Sequence, residues 1–113
     1  MTEWKSLRKT AKARVGELAT VSPALLDGYR SLAAASNKTV HLDGGMRELI
    51  ALAVAVTTRC EGCIAAHVEA AIREGLTREQ IVEALGVAIA LNAGAALTYS
   101  GKVLDCLAEM SAA

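Results

Sequence analysis

Four residues have types and spacings that can do chemistry together: Glu48, Cys60, Cys63 and His67. The segment reads Thr58-Arg59-Cys60-Glu61-Gly62-Cys63-Ile64-Ala65-Ala66-His67. Two cysteines three apart at the start of a helix lie on one face, about one turn apart. Their thiols can close into a disulfide and reopen with little backbone movement. The unpaired amides and partial positive charge of a helix N-terminus favour thiolate over thiol. His67 stands four residues after Cys63. Its imidazole is therefore a neighbour of that sulfur, as acceptor of the thiol proton or as an imidazolium beside the thiolate. Glu48 opens an apolar helix. If the chain folds back at Arg59, Glu48 reaches the level of His67 to Ala71. A partly desolvated carboxylate there can pass protons between water, His67 and the thiols. The plainer reading of Glu48 is a solvated or capping acid.

Other chemistries of a CxxC are weaker fits. Zinc would take Cys60, Cys63 and His67 but normally needs a fourth ligand. His41 and Cys106 are the only spare His or Cys, and no second CxxC or CxxH is present. Covalent haem attachment needs His directly after the second cysteine, where Ile64 stands. No βαβ pattern surrounds the pair, which disfavours a thioredoxin-like setting. His41, in a polar stretch, reads as exposed. Cys106, among Leu104, Leu107 and Met110, reads as an inert core thiol.

The elements that must position these groups are helices. A first helix is expected from about Trp4 to Leu18. Ser22 and Pro23 are a capping hydroxyl and a proline suited to the first position of a second helix. Its apolar side is Leu25, Leu26, Tyr29, Leu32 and Ala33. Ser36 to Gly45 reads as a loop, with Asp43 as the next cap. The third helix, Met46 to Thr58, is wholly apolar from Leu49 to Val56. Such a helix is expected to be central and buried on all sides. The fourth helix runs from about Glu61 to Glu74 and stops at Gly75. Thr77 and Gln80 form a capping box for a fifth, carrying Ile81, Val82, Leu85 and Ile89. A sixth carries Leu97, Val103, Leu104, Leu107 and Met110. Strand signals are weak, so the fold class is all-α, one domain over residues 1–113.

Composition adds a constraint. The chain is 53% hydrophobic, yet has no Phe, one Trp, two Tyr and 23 alanines. Alanine favours helices and close packing but buries little area. A core so poor in large side chains is expected to be shared with copies of the same chain. Net charge is zero. The basic run Lys5, Arg8, Lys9, Lys12 and Arg14 reads as the solvated face of a helix, since no nucleic-acid motif accompanies it. Ala84 to Gly101 is uncharged, but with Gly86, Asn92, Gly94, Thr98 and Ser100 it reads better as a buried helix than as a membrane span. With no signal-peptide pattern, the expected location is the cytoplasm. Three cysteines there are not a disulfide framework.

The constellation of Glu48, then Cys60 twelve residues on, Cys63 and His67 resembles the E…CxxCxxxH motif of the AhpD-like proteins, in the carboxymuconolactone decarboxylase superfamily. The resemblance is strongest from about Met46 to Leu91. It implies an all-α fold assembling as trimers or hexamers. It also implies alkylhydroperoxidase-type chemistry with no metal, haem or other cofactor. On that likeness Cys63 is the peroxide-attacking thiolate and Cys60 resolves its sulfenic acid as a disulfide. Glu48 and His67 are the proton relay. The implied partners are a hydroperoxide and a dithiol or protein reductant, with no nucleic acid and no membrane. One position departs: Gly62 stands where some members carry His or a bulky residue, which removes a relay contact. The superfamily's decarboxylases generally lack the cysteine pair. Three readings compete with a thiol peroxidase or disulfide oxidoreductase. They are a redox sensor or binding module without turnover, a lyase or isomerase using His67 on a carboxylated ring compound, and a zinc site.

Overall fold

Five helices account for nearly all of the chain in the computed structural model, which describes residues 2–112. They are α1 (Trp4–Val21), α2 (Pro23–Ser36), α3 (Gly44–Thr58), α4 (Glu61–Arg73) and α5 (Arg78–Met110). No strand is present among the described residues. The all-α expectation holds. The count differs by one, because the expected fifth and sixth helices are the single 33-residue α5. Gly86, Gly94 and Gly101 sit inside it without breaking it. A helical glycine costs roughly 1 kcal/mol but removes no backbone hydrogen bond.

The starts and stops are set by local chemistry. Asp43 Oδ1 accepts from Met46 N at 2.8 Å and opens α3. Thr77 Oγ1 accepts from Gln80 N at 3.1 Å while Gln80 Oε1 accepts from Thr77 N at 2.8 Å, a complete capping box at α5. Gly75, at φ +73°, ends α4 in the left-handed region that glycine enters without penalty. At Ser22 the expectation fails in part. Pro23 takes the first position of α2, but the Ser22 hydroxyl makes no capping bond. Instead its backbone N–H donates to Leu18 O at 2.8 Å, carrying α1 to Val21, three residues past the expected end.

Helix α3 packs on α4 and α5, and α1 packs on α4 and α2. Contacts at both ends of α3 fix its direction against α5. A Cβ on Gly45 would come within 3.1 Å of Leu76 Cδ2, and Asn92 Nδ2 donates to Thr57 Oγ1 at 2.9 Å. The two helices therefore run parallel, with α4 returning antiparallel to α3. Helix α1 lies antiparallel along α4, pairing Arg8 with Glu69 at 3.7 Å near one end and placing Ala11 beside Gly62 at the other.

The core is small: Leu26, Leu52, Ala55, Ala71 and Ala88. Helix α3 is central, but it is not buried on all sides. Ile50 and Val54 are half exposed, because one chain supplies neighbours for only two of its faces. Cys106 is also not in a core. It is an exposed free thiol on α5, where every described residue from Ile89 onward is exposed.

Candidate functional site

The turn between α3 and α4 builds the site. Arg59 closes α3 in a left-handed conformation, φ 56° and ψ 48°. It is the one non-glycine residue with positive φ among those described. Cys60 N then reaches back to Ala55 O at 3.0 Å, a closing bond of the Schellman type. The chain reverses within two residues, so α4 returns along α3 and the two helices can share a site.

Cys60 is the N-cap of α4. Its Sγ accepts from Cys63 N at 3.1 Å, so a sulfur occupies the place usually taken by a capping oxygen. Cys60 and Cys63 are joined by a disulfide, with Cα atoms 5.1 Å apart. Both are partly buried. A Cβ at position 62 would lie 3.7 Å from the Ala11 Cβ, so Gly62 faces α1 across an ordinary contact distance.

One turn along α4, His67 Nδ1 lies 3.0 Å from Glu48 Oε2 and 3.2 Å from Oε1. The fold-back at Arg59 has brought α3's first turns level with His67, as the spacing predicts. Glu48's side chain is 15% exposed and His67's 39%. A carboxylate only accepts, so Nδ1 donates and the neutral ring keeps its lone pair on Nε2. Among the described residues Nε2 makes no hydrogen bond. The ring is thus held by its back edge, leaving the front nitrogen available as a base on the face of α4 that also carries Cys63.

A pocket of about 260 Å³ opens in front of this pair. Its walls are Glu48, His67, Arg47, Ile50 and Ala51, with Ser36, Asn37, Thr39 and Leu42 from the end of α2 and the loop after it. Neither cysteine lines it. The sequence pointed to none of the residues from α2 and the loop. Nor did it single out Arg47, whose only signal was its place beside Glu48. Among the described residues no group of three or more His, Cys, Asp or Glu converges as a metal site would require. His41 is exposed and takes no part.

The arrangement has a counterpart among known proteins. The model of the carboxymuconolactone decarboxylase family matches residues 23–105, which includes α3, α4 and the whole Glu48–His67 constellation. The chain belongs to the carboxymuconolactone decarboxylase family. A carboxymuconolactone decarboxylase family protein from Legionella pneumophila, solved crystallographically in its apo form, superposes with a TM-score of 0.76. It is 33% identical, and the match covers 97% of this chain and 98% of that one. An uncharacterized protein from Haemophilus influenzae is 48% identical, covering 98% of both chains. Uncharacterized protein 4 in the cox locus of Paracoccus denitrificans is 40% identical, covering 91% of this chain and 93% of its own. Family membership accounts for the helical architecture.

Proposed function

We propose that this family member is a thiol-based hydroperoxide reductase, with disulfide oxidoreductase chemistry at Cys60 and Cys63. The observation that carries the reading is the Cys60–Cys63 disulfide at the start of α4, one turn from a His67 whose Nδ1 is held by Glu48.

In the reduced protein, His67 Nε2 accepts the Cys63 thiol proton. The thiolate attacks the distal oxygen of a hydroperoxide ROOH, the O–O bond breaks, and the relay returns the proton to the leaving alkoxide. The products are ROH and the sulfenic acid of Cys63. The Cys60 thiol then attacks that sulfur, expelling water and forming the disulfide. A dithiol reductant exchanges with the disulfide, is itself oxidised and restores both thiols. The net reaction converts ROOH and the dithiol into ROH, water and oxidised dithiol, with no metal or cofactor. Glu48 keeps His67 in the tautomer that presents Nε2 and stabilises the imidazolium formed in transit.

The test is consumption of cumene hydroperoxide by the reduced protein, beside Cys63→Ser, with mass spectrometry of the product. Consumption well above that of a free thiol, leaving a Cys60–Cys63 disulfide and lost in the variant, is the expected result. A rate no greater than a free thiol's refutes the reading.

A second reading is favoured by one observation: the pocket reaches Glu48 and His67 but not the cysteines. That geometry suits acid–base lyase or isomerase chemistry on a small compound. Such an activity should survive Cys63→Ser and be lost in His67→Gln.

A further inference from the structure

Arg47 is the one cation among the residues lining the pocket in front of Glu48 and His67, apart from the imidazole itself. Its Nη1 donates to Thr39 Oγ1 at 2.6 Å and to Leu42 O at 3.5 Å. Those bonds hold one corner of the guanidinium against the α2–α3 loop. The other edge, Nε and Nη2, has no hydrogen bond and no carboxylate within ion-pair distance among the described residues. Neither atom is a buried orphan, so that edge is not sealed from solvent. Arg47 as a whole is only partly exposed. A partly desolvated guanidinium, pinned at one corner with its fork free, is pre-organised to take a planar anion through two parallel bonds.

The rest of the pocket narrows the ligand. Ile50, Ala51 and Leu42 are apolar, Ser36 and Asn37 are neutral hydrogen-bonding groups, and Glu48 is already paired with His67. A volume of about 260 Å³ is of the size that a small molecule fills. We infer that Arg47 is the anion-recognition residue of this pocket, and that the substrate or its organic group carries a carboxylate on a small apolar frame. On the peroxidase reading, which the kinetic arm of the test assumes, the preferred peroxide is a small hydroperoxy carboxylic acid whose carboxylate sits at Arg47 and whose O–O group extends past His67, out of the pocket, toward Cys63.

Two measurements separate this inference from the reading on which it rests. The first compares kcat/KM for a carboxylated aryl hydroperoxide with that for cumene hydroperoxide, in the wild type, Arg47→Lys and Arg47→Gln. The ratio should favour the carboxylated peroxide in the wild type. It should fall by about tenfold to a hundredfold in Arg47→Gln, the span of one charged hydrogen-bonded pair, chiefly through KM. Arg47→Lys should fall between, since a point charge replaces the fork. An unchanged ratio, with both peroxides slowed together, would mean that Arg47 only clamps the loop, and overturns the inference. The second measurement needs no turnover. The His67 ring resonances are followed by NMR as benzoate, or neutral benzyl alcohol, is titrated into the oxidised protein. Saturable shifts with benzoate that are absent with the alcohol and lost in Arg47→Gln support the anion site even if no peroxide is consumed. No benzoate-specific shift, or one that persists in Arg47→Gln, overturns it even if the protein proves to be a peroxidase.

Discussion

Replacing Leu104 by Arg should split an assembly of this chain into subunits. The isolated chain exposes 8981 Å², whereas a folded monomer of 11.7 kDa exposes about 5,900 Å². The excess of about 3,000 Å² is of the size surrendered in an extensive permanent interface. The radius of gyration agrees: 18.8 Å against about 13 Å for a compact chain of this length. Much of the excess lies on α5, where Leu97, Val103, Leu104, Leu107 and Met110 are all at least 60% exposed. Thr98, Lys102, Asp105 and Glu109 recur at four-, three- and four-residue steps and form a polar strip along one side of this segment. The uncharged stretch Ala84–Gly101 is interrupted by Gly86, Asn92, Gly94, Thr98 and Ser100 and followed by Lys102, Asp105 and Glu109, which suits packing against protein better than a bilayer, although α5 is long and apolar enough to span one. The expected occupant of the apolar side is a second copy. Burying Leu104 contributes about 2 kcal/mol per subunit. An arginine in its place forfeits that and adds the desolvation of an unpaired charge. The loss is at least about 3 kcal/mol per subunit, or more than about a hundredfold in the dissociation constant. Sedimentation velocity at micromolar concentration should give an oligomer for the wild type and smaller species for Leu104→Arg. A wild-type chain that sediments as a monomer across that range, in buffer without detergent, would refute the argument from excess surface.

Other outcomes follow from the site and its supports. Glu48→Gln and His67→Gln should each lower the peroxide rate by about 10²- to 10⁴-fold, the usual contribution of a positioned acid–base group. In both, the Cys60–Cys63 disulfide should still form with a strong thiol oxidant; loss of that disulfide would mean that the variants had disturbed the fold. Thiol titration in denaturant should find one reactive thiol, Cys106, in the oxidised protein and three after reduction. Three before reduction would contradict the pairing. Gly75→Ala should destabilise the protein by about 1 kcal/mol, and Arg59→Gly should stabilise it by up to about the same amount. Only at these positions is the described backbone left-handed. Chemical denaturation of the oxidised protein checks both signs.

What could be read from the sequence divides along a physical line. Asp43, Gly75, Thr77 with Gln80, and Pro23 act within one turn of themselves, so their residue types were enough to place helix ends. The CxxCxxxH spacing is equally local, fixed by 3.6 residues per turn. Glu48 was reachable because the one non-local step, reversal at Arg59, sits between two helices of known pitch. The pocket was not reachable. Ser36, Asn37, Thr39 and Leu42 arrive through the path of a loop that no periodicity describes, and Arg47 matters through what that loop brings to it. The core expected around Cys106 is absent because its apolar neighbours in sequence belong to a helix side that has no cover within one chain.

The same point explains why α5 is both continuous and exposed. Its last buried residue is Ala88, so more than half of a 33-residue helix stands without a core of its own. Gly94 and Gly101 each cost that segment roughly 1 kcal/mol of helix propensity. A stretch of this length is marginal as an isolated helix in water, since most helical stability in proteins comes from packing an apolar face. The segment therefore depends on a contact that the single chain does not supply. If a second copy supplies it, the glycines become intelligible as places where another helix backbone approaches closely. Gly94→Leu and Gly101→Leu, for which the isolated chain offers open space, should then weaken assembly while raising the intrinsic helicity of α5. Higher helicity with unchanged association would show that the approach lies elsewhere on the helix.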